Sequence, residues 1–308
     1  MRIFVGVTDI AWFRHLAGQE PPVSEVNFWR PGGGAFAALQ PGCPFLFKLK
    51  APINKIAGVG FFHSFTRLPL RVAWETFSIR NGRGSYDQLL HVIQSYRHGS
   101  VSATTEIGCI LLESPVFFDE YDWFDVPADF QQNVVVGKSY DSSTPQGNKL
   151  WQHVSGLLEA DRGKAFTSPS QVVPSVFGKE YLRKSRPGQA GFKVGLLDAY
   201  GRRCAITGEN IVPVLEAAHI QPVHENGTNE LSNGLLLRSD MHKLFDDGLI
   251  GITPDRTIRV SNQIRDLYVN GKVYYSWDGK PLTVLPKDEL LLPDSDRLDW
   301  HLSHVFIP

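Results

Sequence analysis

An α+β fold in two domains is predicted by three observations. The chain has 308 residues, enough for two separate cores. Residues 1–165 carry short apolar runs bounded by Gly, Pro or Asn, the pattern of a mixed β domain with some helix. Residues 212–248 read as strand, loop, strand and helix in close succession. A Ser- and Pro-rich stretch places a linker at 166–176 and a second domain at 177–308.

In the first domain, strands are expected at residues 3–7, 45–49, 56–62, 109–112 and 133–136. Residues 85–97 read as a helix. Ser85 can cap it, Leu89, Val92, Ile93 and Tyr96 make an apolar stripe, and Gly99 stops it. A second helix is expected at 149–158. In the second domain a helix over 192–200 stops at Gly201. A strand over 212–219 ends on His219, a polar loop covers 221–232, and a strand returns over 234–238. Ser239 is a good N-cap for a short helix over 240–246, stopped by Gly248. A hairpin over 249–252 and 257–260 turns at Pro254-Asp255.

The composition excludes several classes. Net charge is -1, so nucleic-acid affinity must come from local patches. One such patch holds Arg183, Lys184, Arg186, Lys193, Arg202 and Arg203 against a single acid, Asp198. Three distant cysteines form no disulfide framework and no CxxC pair. No apolar run reaches the ~18 residues that span a bilayer, and the N-terminus does not read as a signal peptide. A cytoplasmic protein without membrane contact is expected.

The chemistry concentrates in 200–248. His219 lies at a strand tip, Asn233 opens the returning strand, and His242 and Asp246 stand at i and i+4 on one helix face. A neutral imidazole can take a proton from water, and an imidazole with a carboxylate can hold a divalent cation against a phosphate. With its motifs AAHI, NGLLL and MHKLFDDG, the segment resembles the HNH endonuclease family and its ββα-metal core. The resemblance covers about 192–260. It implies catalytic roles for His219, Asn233 and His242, with His242 and Asp246 on one Mg²⁺ or Mn²⁺. Asn233 would bind the hairpin backbone and orient His219. Arg183, Lys184, Arg186, Arg202, Arg203 and Lys243 would contact DNA phosphates.

Two departures from that family matter. Many members bind a structural zinc through two CxxC pairs; here the positions are Cys204, Thr207, Arg238 and Met241, so no structural zinc is expected. Packing of Leu196, Tyr200, Leu236 and Leu244 is expected to hold the fold instead. Many members also carry a metal ligand just before the catalytic histidine, where this chain has Ala218. Glu216 could stand in for it, although a structural role is the simpler reading. His224 reads as a surface residue, and His301 and His304 as structural.

The first domain is rich in aromatics near loops. An extruded base needs an aromatic sandwich and an amide to read its edge. Asn27, Phe28 and Trp29 supply an amide and two rings together, and Trp12 and Trp74 add to a candidate base pocket. The order strand, VNFWRP, short helix, PGCPFLFKL and KIAGVGFF resembles the PUA-like superfamily, β-barrels that include the EVE, ASCH and SRA readers of modified bases. The combined expectation is a modification-dependent DNA restriction endonuclease acting on double-stranded DNA, a homodimer if both strands are cut. Two rivals are an anti-phage effector nuclease that senses a small nucleotide, and a degenerate nucleic-acid-binding protein without catalysis.

Overall fold

The computed structural model describes residues 1–131, 134–164, 174, 177, 188–268 and 271–308. Its contacts divide the chain into two units, Met1–Ser185 and Arg186–Pro308. Apart from Pro174, the expected linker at 166–176 lies outside the described residues. Among the described residues, no helix is long and apolar enough to cross a membrane. The class is α+β, as the sequence predicts.

Among its described residues the first unit is built on seven strands: β1 (Arg2–Thr8), β2 (Glu25–Arg30), β3 (Pro44–Leu49), β4 (Lys55–Pro69), β5 (Glu106–Phe117), β6 (Phe124–Asp125) and β7 (Gly137–Asp141). They pair in the order β2-β5-β4-β3-β1-β7, with β6 on β4. The β1–β3 pair is parallel, and the other pairs are antiparallel. Side chains alternate across the sheet, so each face builds its own core. Phe4, Phe28, Phe45 and Phe47 join one. Ile3, Val5, Leu46 and Val59 join the other. Burial on both faces explains why these strands read as continuous apolar runs rather than alternating ones. Gly6 is required by this packing, since a Cβ there would meet the Phe45 ring at 2.3 Å.

The described residues of the unit also form helices α1 (Ile10–Ala17), α2 (Leu70–Phe77), α3 (Tyr86–Tyr96) and α4 (Pro145–Lys164). Ser85 caps α3, its hydroxyl accepting from Gln88 N–H at 3.3 Å. The face of α4 that carries Leu150, Val154 and Leu158 covers the second core. Three expectations are corrected here. Strand β4 runs to Pro69, well beyond 62, because its polar half HSFTRLP stays paired with β5 as far as Glu106. The strand expected at 133–136 lies later, at Gly137–Asp141, where the chain pairs with β1. The short helix expected after VNFWRP is not formed; the short helix is α1, before β2.

In the second unit, α5 (Gln189–Ala199) is followed by β8 (Leu215–His219), β9 (Gly234–Arg238), α6 (Ser239–Asp246), β10 (Ile250–Ile252) and β11 (Ile258–Val260). Then come α7 (Gln263–Tyr268), α8 (Lys272–Tyr275) and α9 (Ser295–His304). Pro213 sits in a tight helical turn over Val212–Val214, so β8 begins later than expected. Ser239 does not cap α6. It is the first helical residue, and its hydroxyl donates to Val214 O at 3.0 Å. Leu196, Tyr200 and Leu236 are fully buried as expected. Leu244 is only half-buried; its neighbour Phe245 fills the core instead, stacked on His301 at 3.7 Å. The Cys204 thiol is buried and accepts N–H groups from Thr207 and Arg238.

Candidate active site and aromatic cavity

Strands β8 and β9 pair antiparallel with His219 opposite Gly234. The loop between them is therefore closed next to His219. Asn233 closes it: its amide donates to Gln221 O (2.9 Å) and Thr228 O (2.8 Å) and accepts from Gln221 N–H (3.0 Å). The side chain is fully buried with its bonds made, the arrangement a buried amide needs. His219 is held on two sides. Its ring stacks on Phe192 of α5 at 4.1 Å and 9°, and Nε2 meets Asn229 Oδ1 at 2.9 Å. An amide oxygen is an acceptor, so Nε2 carries the proton and Nδ1 keeps its lone pair. Burial holds the His219 pKa below the ordinary imidazole value. Nearby His242 acts in the same sense, while Asn229 and Asp246 oppose it.

On α6, His242 and Asp246 share a face, with Nε2 and Oδ2 3.3 Å apart. The other ring nitrogen, Nδ1, meets Glu216 Oε2 at 2.6 Å. Burial, helped by the charges of Asp247 and Glu216, raises the Asp246 pKa; His242 and Lys243 offset part of this. Ala218 is fully buried, so that strand position offers nothing to the cluster. Among the described residues, no three His, Cys, Asp or Glu side chains converge as a ready-made cation site. The His242–Asp246 pair still fits one. Ligands about 2.1 Å from a six-coordinate ion lie about 3 Å apart when adjacent, close to the spacing seen.

Lys243 is exposed and paired with Asp247 at 2.7 Å. Arg203 is exposed and donates to Gly208 O. Arg202 is half-buried. The calls on Arg183, Lys184 and Arg186 lie outside the described residues. Burial pushes the Asp198 carboxyl up to about 6. His224 is exposed, His301 is a core residue and His304 stacks on Trp300.

The first unit contains a cavity of about 120 Å³. Trp12, Phe28 and Trp29, three of the five expected pocket residues, line it. Trp12 and Phe28 do so while packed in the core, with Trp12 1% exposed. Trp29 is the fixed wall. Its indole donates to Asn81 O at 2.9 Å, the Arg83 guanidinium lies 5.8 Å from its ring, and the Tyr96 ring lies 6.0 Å away. Two expectations fail. Asn27 is fully buried and donates its amide to Asn81 Oδ1 at 2.9 Å, so it does not line the cavity. Trp74 is half-buried on α2 and also lies outside the lining.

Sequence reasoning missed three residues. Lys50 and Tyr96 line the cavity, the ammonium lying 4.3 Å over the tyrosine ring. Nothing in their local sequence marks them. Asn229 sits in a polar loop, equally unmarked. Glu216, weighed from the sequence as a stand-in for the acid missing at Ala218, lies two residues before it, hence on the same strand face.

Residues 204–253 of the chain match the model of the HNH endonuclease family. No curated protein matches the chain in sequence. Similar solved structures include ASCH from Zymomonas mobilis, at 13% identity and a TM-score of 0.33 over 49% of this chain and 94% of that one. The modification-dependent TagI restriction endonuclease is similar at 12% identity and a TM-score of 0.32, over 97% of this chain and 81% of that one.

Proposed function

We propose that the chain is a metal-dependent DNA endonuclease whose second unit cuts and whose first unit reads a modified base. One observation carries the cutting assignment. His219, whose Nε2 is held by Asn229, is fixed near His242 and Asp246 inside the segment that matches the HNH endonuclease family. His219 serves as the general base, taking the proton of the water that attacks phosphorus. Its depressed pKa keeps it neutral near pH 7, the form that can accept a proton. Asn233 secures the loop neck, so the strand end that carries His219 keeps its place. His242 and Asp246 would hold one Mg²⁺ or Mn²⁺, hard ions that suit carboxylate and imidazole. When bound, that ion supplies positive charge at the phosphate and the leaving oxygen. The described part of the second unit packs around Phe192, Leu196, Tyr200 and Phe245.

The reader assignment is supported by the cavity. Trp29 and Tyr96 present aromatic surface at its edge, and Lys50 adds a cation suited to a phosphate. A single cutting site severs one strand, so cleavage of both strands calls for a homodimer or for two binding events.

The test is a cleavage panel with Mg²⁺ or Mn²⁺ on unmodified, methylated, hydroxymethylated, glucosylated and phosphorothioated duplexes. Cutting of one modified class over unmodified DNA is expected. Equal cutting of all substrates would sink the reader assignment, and no cutting by the wild type would sink the nuclease.

A further inference from the structure

We infer that Glu216 is a positioning residue for His242: its carboxylate accepts the Nδ1–H and holds the imidazole in the tautomer that turns the Nε2 lone pair toward Asp246. The inference rests on the reading that His242 and Asp246 hold the cation, and it adds a residue that acts through one of them.

The contact is short. Glu216 Oε2 and His242 Nδ1 are 2.6 Å apart, in the range of charge-assisted bonds. Both ends are anchored. Glu216 lies in mid-strand on β8, opposite Leu237 of β9. Strand β9 runs directly into α6, which carries His242. The Ser239 hydroxyl ties the start of α6 to Val214 O, just before β8. The carboxylate and the imidazole are thus brought together by the hairpin and by a tie across its base.

The second nitrogen gives the contact its meaning. A neutral imidazole has one N–H. With that proton on Nδ1, Nε2 faces Asp246 Oδ2 at 3.3 Å as acceptor against acceptor. Two lone pairs at that distance repel, and a cation between them relieves the repulsion. Imidazoles that hold metals commonly donate their other N–H to a carboxylate, which fixes tautomer and ring orientation. The same side chain could instead turn and bind the ion itself. The two roles differ in what glutamine can replace: its amide oxygen still accepts an N–H but lacks the charge of a carboxylate ligand.

The test uses the full chain and Mn²⁺ alone, titrated by calorimetry into the wild type, Glu216→Gln, Glu216→Ala and His242→Ala. Glu216→Ala should bind Mn²⁺ ~10–100-fold more weakly, the usual effect of losing such a partner, and Glu216→Gln should stay within a few-fold of the wild type. Gln as weak as Ala would overturn positioning in favour of direct ligation, and Ala equal to the wild type would overturn any role. A second measurement does not depend on metal uptake. ¹⁵N NMR of the metal-free chain in mildly alkaline buffer should show the His242 proton on Nδ1 in the wild type and in Glu216→Gln. It should show loss of that preference in Glu216→Ala, and an unchanged tautomer there overturns the inference. A wild type that takes up no Mn²⁺, or a His242→Ala variant that binds it equally well, would overturn the cation reading instead, and the NMR result then decides Glu216 by itself.

Discussion

The proposed cutting site and the aromatic cavity are assembled in opposite ways. His219, Asn233, His242 and Asp246 come from one hairpin and the helix that follows it. The cavity takes its walls from the end of β1, α1, β2, the segment after β3, the end of α3 and the stretch before β7. In the first case, residue spacing is already geometry, because hairpin register and the helical turn fix where each side chain falls. In the second, position follows from the pairing of distant strands, and spacing along the chain says little. Substitutions should therefore act sharply and separately at the cutting site, and through packing as well as contact at the cavity.

The largest expected effect lies at the cutting site. His219→Ala should slow single-turnover cleavage by ~10²–10⁴-fold while duplex binding, measured by anisotropy, stays near normal. Chelator should stop cleavage with the circular dichroism unchanged, and His242→Ala should lose more activity than Asp246→Ala. Near-normal cutting by His219→Ala would remove His219 from the role of base.

Acid should affect both units alike. Burial lowers the pKa of His63 in the first and His301 in the second to about 4, the Glu113 carboxylate 3.8 Å from His63 Nε2 acting against this. Unfolded, both protonate near 6.5, so between these values the unfolded chain binds more protons than the folded one. Stability present above pH 6.5 should be lost as pH falls to about 4, by about 3 kcal/mol for each histidine. Denaturant titrations across that window check it; a flat profile would contradict the burial of both rings.

At the cavity, Trp29→Ala should remove stacking worth ~1–3 kcal/mol and with it selectivity for the modified substrate, leaving low-salt binding to unmodified DNA intact. Asn27→Ala should act differently, lowering stability by ~1–3 kcal/mol because Asn81 loses a buried partner. If Asn27→Ala erased selectivity without loss of stability, the contrast between wall and scaffold would fail. The smallest effect concerns pH: the acid limb of the cleavage rate should lie below pH 6.5, since His219 stays neutral to lower pH than a free imidazole.

What was legible follows the same division. The i,i+4 pair on α6 and the His219–Asn233 arrangement were readable because the elements that carry them are short and local. The helix over Tyr86–Tyr96 was readable from its cap and stripe. The polar half of β4 was not, since its strand character comes from β5 and not from its own residues. Asn27 looked like a reader because a sequence shows an amide beside two rings, but not that Asn81, 54 residues away, already holds it. Lys50 and Tyr96 meet through tertiary packing alone. Glu216 could be placed on the right face of its strand, yet its bond to His242 depends on how α6 leaves β9.

The neck formed by Asn233 separates the hairpin loop into a fixed base and an exposed tip. Its three bonds end at Gln221 and Thr228, and residues 223–226 beyond them are exposed. Gly227 belongs to the base, since a Cβ there would meet Gln221 O at 1.8 Å. The tip is thus an attachment point for a label on the exposed His224 side chain, while Glu225 is tied back to the base by Gln221 Nε2 on its carbonyl at 2.6 Å. That gives a reporter of substrate arrival which leaves the machinery itself untouched.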